Sequence, residues 1–312
     1  MQRKISERRA CELLRISRRW RGYVSRRKDQ DLSKKLKELA RRHPRYGYRR
    51  LHQMLLRAGA KTNVKRVRRL CVVLNLKLPA RRKRKRRGTG IGVPVVAEYP
   101  NHVLAYDFVH DWCENGRQLK MLTVEDEFTR ECLAIEVDHR MGALGVCRVL
   151  ERVMEQRGVP AFVRSDNGPE FIAKVLMRML AARGIKCRHI EPGSPWQNGK
   201  NERFNGTLRS ECTEMETFHH RDHARAVCEL FRRHYNQERP HSSLGYQTPA
   251  EFARRHGLPA AGCVDSVSKV LRLQPGRPCR IIVMDVNAFE VYKFRWRQEW
   301  GLDTYRARSF GD

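Results

Sequence analysis

Three acidic residues stand in positions where an acid breaks the local pattern. Asp107 lies inside the apolar run HVLAYDFVHD, Asp166 follows the β-like run AFVRS, and Glu202 sits in SPWQNGKNERFNGTLR with 35 residues between it and Asp166. A charge in the middle of a strand is costly unless it is paired or binds a metal. Carboxylate oxygens are hard ligands, so acids of this kind suit hard divalent cations.

The elements that deliver these acids can be read locally. Asn167, Gly168 and Pro169 follow AFVRS directly; they end the strand in a sharp turn and place Asp166 on a rim. A turn role suits Asn167 and Gly168 better than substrate contact. Ser194, Pro195 and Asn198 are helix-start signals, and 200–205 holds neither Gly nor Pro, so Glu202 is expected on the first turns of a helix. Asn198 and Gly199 form its flexible entrance. Arg209 is seven residues further, about two turns along the same face.

Around these acids, strands are predicted at 103–109, 120–125, 132–137, 161–165 and 186–189, and helices at 143–156, 169–183 and 223–239. The order βββαβαβα argues an α/β fold with a mixed sheet flanked by helices. The earlier part of the chain reads differently. A short basic helix carries Ala10, Leu13 and Leu14 at helical spacing. Helix 31–42 puts Leu32, Leu36 and Leu39 on one stripe, and helix 49–58 turns Leu51, Met54 and Leu55 inward and is closed by Gly59. A last helix, 64–74, is capped by Asn63, with Val67, Leu70 and Val73 or Leu74 inward and Lys65, Arg66, Arg68 and Arg69 on its surface. Short helices with tight joints suit a helix-turn-helix domain whose last helix enters a major groove. A basic bundle that grips phosphates without reading bases is the other reading.

Charge supports a polyanionic partner. The formal net charge is +31, and residues 1–92 carry 33 Lys and Arg against 5 Asp and Glu, leaving a net of only +3 on the rest. Such a field attracts nucleic acid in a salt-dependent manner. The block ARRKRKRRGTGIG reads as a solvated linker that orders on DNA. No segment is apolar enough to span or anchor in a membrane. Ten cysteines without a C-x-x-C pair favour reduced thiols in the cytosol. The cluster His219, His220, His223 and Cys228 lacks zinc-site spacing and reads as a helix start.

Asp107, Asp166, Glu202 and the trailing Arg209 resemble the catalytic triad region of the DDE transposase and retroviral integrase superfamily. The blocks YDFVHD, LTVEDEFTRE, RSDNGPEF, SPWQNGKNERFNGTLRSE and YNQERPHSSLGYQTPAEF occur in order within 5–259. Together they resemble the downstream reading frame of bacterial insertion-sequence transposases, whose two overlapping frames are joined by frameshifting. The resemblance implies an RNase H-like (integrase-type) core at 100–259, preceded by an all-α helix-turn-helix region at 1–79 and a basic linker at 80–99, with an extension of unknown role at 260–312. It also implies Mg2+-dependent cleavage of DNA ends and strand transfer. Two Mg2+ ions, replaceable by Mn2+, would be held with Asp107 bridging both, Asp166 on one and Glu202 on the other. Lys200, Arg203, Arg209, Lys65, Arg66, Arg68 and Arg69 are the expected DNA contacts. Expected partners are double-stranded DNA (terminal repeats and target) and further copies of the chain in a bacterial, nucleoid-associated cytoplasmic setting. The leucine-zipper region of fused family products is absent here, so synthesis as a fusion with the upstream-frame protein is expected.

Two other readings stay open, a metal-dependent nuclease that stops after hydrolysis and a non-catalytic DNA-binding regulator or decayed element product. Asp111, Glu125, Asp126 and Glu127 match no triad position and are assigned a solvated or structural role as exposed carboxylates. Thr248 and Glu251 form a capping box at a new helix, whose role is packing, and His241 is not a general base. The extension includes FEVYKFRWRQEW. That segment could stack on nucleic acid, or the extension is an accessory, fused or read-through segment.

Overall fold

The computed structural model describes residues 5–18, 29–79, 96–189 and 199–258. Most of the linker (80–95 of 80–99), the extension at 260–312 and the signals Ser194, Pro195 and Asn198 lie outside the described residues. The chain divides into two compact units, Met1–Lys77 and Leu78–Asp312.

The first unit contains the short helices α1 (Glu7–Leu13), α2 (Gln30–Arg42), α3 (Tyr48–Arg57) and α4 (Val64–Val73). Leu36, Leu51, Leu55 and Val67 are fully buried in one cluster with Tyr46, Leu70 and Cys71. Gly59 follows α3 at φ +77°, a left-handed conformation that a residue without Cβ adopts at no steric cost. Asn63 caps α4 by accepting the Lys65 backbone N–H at 2.8 Å. The inward stripe of α4 is Val67, Leu70, Cys71 and, partly buried, Leu74, while Val73 is 71% exposed. Spacing of 3, 4 and 7 residues keeps a helix on one face, and Val73 falls off it. Leu13 and Leu14 at α1 are also exposed, so the spacing there does not produce a buried face.

The second unit is built on a five-stranded sheet of order β3-β2-β1-β4-β5. Strands β1 (Val103–Trp112), β2 (Gln118–Asp126) and β3 (Cys132–Asp138) are antiparallel neighbours; β4 (Phe162–Ser165) runs parallel to β1, and β5 (Lys186–His189) parallel to β4. Helix α5 (Ala143–Arg157) links β3 to β4 and α6 (Lys174–Ala182) links β4 to β5. These helices cover Leu104, Tyr106, Leu122 and Val124 on one face. The opposite face carries Val109, Leu119 and Met121 beneath Phe204 and Leu208 of α7 (Gly199–Glu211) and Phe231 and Tyr235 of α8 (Arg221–Gln237). A sheet buried on both faces demands nearly continuous apolar strands, which is why one acid in HVLAYDFVHD stands out. This mixed sheet with flanking helices is the architecture anticipated from the strand order, and the RNase H-like class is the one that the resemblance implied.

The stretch 169–173 is not helical, contrary to the expected helix 169–183. Phe171 explains the difference: it is 1% exposed, stacks on Phe108 with ring centroids 4.9 Å apart and meets Tyr106 edge-on. That anchor holds the chain in a turn, closed by the Phe171 N–H donating to the Gly168 carbonyl at 2.9 Å, before α6 begins. The predicted capping box is present at α9 (Pro249–Arg255), with Thr248 and Glu251 each accepting the other's backbone N–H.

The acids of LTVEDEFTRE are not solvated. Glu125, Asp126 and Glu127 are each 2% exposed and Glu131 is fully buried. Asp126 accepts from the backbone N–H groups of Asn101 and Phe128 and from the Thr129 hydroxyl, while Glu131 pairs with buried Arg157. Their role is structural, and strand pairing brings together partners that no local pattern specifies.

Glu125 is pushed up to about 8, chiefly by burial, with Glu127 and Asp126 adding to it against Arg130 and Lys200. Its folded value exceeds its unfolded value, so the stability it contributes is complete below pH 4.5 and is lost as pH rises through about 8. Glu125→Gln removes this loss. Urea denaturation between pH 5 and 8 is expected to show that the variant lacks one component of the wild-type slope, at most about 1.4 kcal/mol per pH unit. Identical slopes in the two proteins would refute the assignment.

Candidate active site

Alternation along β1 places Asp107 on the sheet face covered by α7, because Leu104, Tyr106 and Phe108 occupy the opposite face. One oxygen of the Asp107 carboxylate accepts the Phe108 backbone N–H at 2.8 Å, and the other accepts Asn205 Nδ2 at 2.9 Å. Asn205 is buried, and its side-chain oxygen accepts the Thr123 hydroxyl at 3.2 Å. The same hydroxyl lies 3.1 Å from the Asp107 backbone carbonyl. Thr123 is opposite Asp107 in the β1–β2 register, so the pairing of two strands fixes the contact.

Asp166 follows the last residue of β4 and is exposed, with its carboxylate accepting the Gly168 backbone N–H at 3.0 Å. The Asn-Gly-Pro turn therefore works as expected, holding the acid at the strand end. Asp107 is pushed up to about 6, first by burial and then by the negative charge of Asp166, while the Phe108 N–H, Arg209 and Asn205 favour its charged form. The two carboxylates are electrostatic neighbours, and Arg209 is a cation near enough to Asp107 to favour its charged form.

Glu202 is exposed in the first turn of α7. Positions 202, 205 and 209 fall on one stripe of a helix, and Asn205 fixes that stripe toward Asp107. Among the described residues, no three His, Cys, Asp or Glu side chains converge as a ready-made metal cage. The structure thus makes Asp166 an electrostatic neighbour of Asp107, with Glu202 about one helical turn from Asn205, which binds Asp107.

A divalent cation suits this donor set. Among the described residues, Asp107, Asp166 and Glu202 take part in no ion pair. Each carboxylate oxygen of Asp107 has one protein donor and a remaining lone pair. Half-buried negative charge beside a second carboxylate calls for positive charge at that point.

The expected DNA contacts separate into distinct environments. Arg203 and Arg209 are exposed on α7. Lys200 faces buried Glu127 at 3.3 Å. On α4, Lys65 and Arg68 are exposed, with Arg68 lying 5.8 Å from the Tyr48 ring centroid. Arg66 and Arg69 both bind the Asp29 carboxylate, at 2.7 and 2.6 Å. Sequence reasoning missed Asn205 and Thr123. Asn205 had a usable signal in its position three residues after Glu202, whereas Thr123 is identified only by strand register.

The histidine cluster is a helix start. His220 Nδ1 accepts the His223 backbone N–H at 3.1 Å, His219 stacks on His223, and His219 Nδ1 lies 2.6 Å from a Glu114 carboxylate oxygen. Burial, then His219 and His220, push His223 down to about 4.

Arg209→Ala is expected to weaken affinity for a 3′-hydroxyl duplex end several-fold while shifting the melting temperature little, since an exposed helical arginine contributes little stability. Filter binding beside thermal melting separates the effects. A large melting shift with unchanged affinity would make Arg209 a structural residue.

Comparison with known proteins identifies the family. Two models described as "Integrase core domain" match residues 97–195 and 183–249, and one described as "HTH-like domain" matches 26–84. The uncharacterized 31.7 kDa protein of insertion element IS407 from Burkholderia multivorans is 43% identical, covering 81% of this chain and 92% of its own. The uncharacterized 39.2 kDa protein of insertion element IS476 from Xanthomonas euvesicatoria is 42% identical, covering 81% and 73%. The transposase for insertion sequence element IS904 from Lactococcus lactis is 26% identical, covering 72% and 93%. Among solved structures, a simian T-cell lymphotropic virus intasome in complex with a PP2A regulatory subunit gives 16% identity, 77% coverage of each chain and a TM-score of 0.46. With relatives this similar over most of their length, the chain belongs to the insertion-element transposases that carry an HTH-like domain and an integrase core.

Proposed function

We propose that this chain cleaves the DNA ends of its insertion element and joins them to a new site, using Asp107, Asp166 and Glu202 as a metal-holding triad. The observation that carries the reading is the hydrogen bond from Asn205, on the same helical stripe of α7 as Glu202, to Asp107 on β1, together with the charge coupling of Asp107 to Asp166 just past β4. Two bound Mg2+ ions would activate the attacking oxygen, stabilise the leaving oxygen and relieve charge on the phosphoryl group.

The chain's own residues do the positioning. Asn205 and the Phe108 N–H hold both oxygens of Asp107, so the carboxylate cannot rotate away from the rim. The Gly168 N–H holds one oxygen of Asp166. Arg209 places a guanidinium where it can pair with a DNA phosphate beside the acids. In the first step, water attacks phosphorus and the bond to the element's 3′ oxygen breaks, leaving a 3′ hydroxyl. In the second, that hydroxyl attacks a target phosphodiester and displaces a target 3′ oxygen. Neither step requires a covalent enzyme intermediate.

The basic first unit would grip the element's terminal repeats, with α4 as the groove-entering helix, followed by the linker, core and extension as laid out in the sequence. Action as several copies on DNA in the bacterial cytoplasm, and synthesis as a fusion with an upstream-frame protein, belong to the same proposal. Among the described residues, no helix is long and apolar enough to cross a membrane. Mass spectrometry of the host tests the fusion by its junction peptide.

The decisive assay supplies a labelled duplex end already carrying a free 3′ hydroxyl, a plasmid target and Mg2+. Joined product that disappears with chelator supports strand transfer. Cleavage of intact ends without joining of pre-cut ends would identify a nuclease, and DNA binding with neither reaction would identify a regulator.

A further inference from the structure

Glu127 occupies a junction that the triad does not account for. It follows β2, its backbone N–H donates to the Val103 carbonyl at 3.0 Å, and its carboxylate is 1% exposed. One carboxylate oxygen accepts from the Arg164 guanidinium; the other lies 3.3 Å from Lys200 Nζ, which also reaches the Glu127 backbone carbonyl at 3.5 Å. Arg164 is two residues before Asp166, and Lys200 is two residues before Glu202. A single buried carboxylate therefore grips both segments that carry the outer two acids.

The two grips constrain different motions. Arg164 lies in β4 opposite Ala105, and alternation gives it the same facing as Asp107 and Asp166. Its ion pair prevents the β4 end from sliding against β1. Residues two apart on a helix point about 200° away from each other, so Lys200 holds the first turn of α7 from a side other than that of Glu202. With Asn205 bound to Asp107 further along, α7 is fixed at two points and cannot rotate about its axis. First turns lack intrahelical partners for their N–H groups and fray when nothing else ties them down.

We propose that Glu127 is a positioning residue that acts through Arg164 and Lys200 to hold Asp166 and Glu202 in register for a shared cation. Lys200 is then a structural tie within the site rather than a phosphate contact. This inference rests on the metal-holding reading of the triad.

The test uses the full chain with Lys200→Gln, Lys200→Arg and Glu127→Gln. Mn2+ binding to the DNA-free protein is followed by the electron paramagnetic resonance signal of unbound Mn2+, beside duplex affinity and melting temperature. Lys200→Gln leaves the Glu127–Arg164 pair intact, so it stays interpretable if Glu127→Gln fails to fold. It is expected to weaken Mn2+ binding about tenfold, the scale on which a metal site suffers when a residue supporting its ligands is removed, with duplex affinity and melting unchanged. Lys200→Arg restores binding. Unchanged Mn2+ affinity with a fall in duplex affinity and salt slope would make Lys200 a phosphate contact and overturn the proposal. Indifference of all three variants beside a wild type that binds Mn2+ overturns the positioning role alone, whereas a wild type that binds none overturns the metal reading and this role with it.

Discussion

Asp107→Asn, Asp166→Asn and Glu202→Gln are each expected to reduce Mg2+-dependent end cleavage and strand transfer by more than ~10³-fold, the scale on which one member of a catalytic unit is missed. Each amide keeps the size of the side chain but loses the negative charge that holds a divalent ion. Folding should survive. Glu202 and Asp166 are exposed, and Asp107 carries a charge that burial already disfavours, so removing it relieves a cost. Duplex affinity should hold or rise slightly, because one source of repulsion toward phosphate is gone. Asp111→Asn and Asp126→Asn are the activity controls. Asp111 accepts the backbone N–H of its neighbour Trp112, and Asp126 holds the turn after β2. Gel-resolved cleavage and joining of a labelled element end, with binding measured on the same preparations, checks all five. Near-normal turnover in a triad variant removes that residue from the site, and loss of activity in Asp111→Asn alone relocates the first acid.

The second large effect concerns affinity. Removing residues 1–92 takes away 33 of the 65 Lys and Arg and lowers the formal net charge from +31 to +3. Every phosphate that the protein ceases to neutralise reduces the slope of log K against log salt by about 0.9, so the truncated chain should keep less than half of the full-length slope. Its second unit has its own two-faced core and should melt cooperatively. A filter-binding titration from low to moderate salt makes the comparison. Retention of the full slope would place the DNA contacts in the second unit and leave the basic helices without their assigned role. Arg66 and Arg69 sharpen the expectation, since both already bind Asp29. Lys65 and Arg68, exposed on the same helix, should then carry more of the phosphate binding than their neighbours.

The amino-acid sequence by itself determined the kinds of acid, their order and the elements that bear them, because each of those signals is local. Asn-Gly-Pro after AFVRS dictates a turn wherever it occurs, Asn63 and Thr248 cap the helices that follow them, and an acid in an apolar strand is conspicuous without reference to any partner. Tertiary structure alone decided which side chains meet. The β1–β2 register sets Thr123 beside Asp107, helix packing delivers Asn205 to the same carboxylate, and the anchoring of Phe171 delays α6 beyond its apparent start. It also buried the acids of LTVEDEFTRE and gave two of them, Glu127 and Glu131, the partners Arg164, Lys200 and Arg157. Those pairs join residues 26, 37 and 73 positions apart in the chain. A buried charge is tolerated only where folding brings its counterion, and no helical or strand period encodes a meeting across such distances.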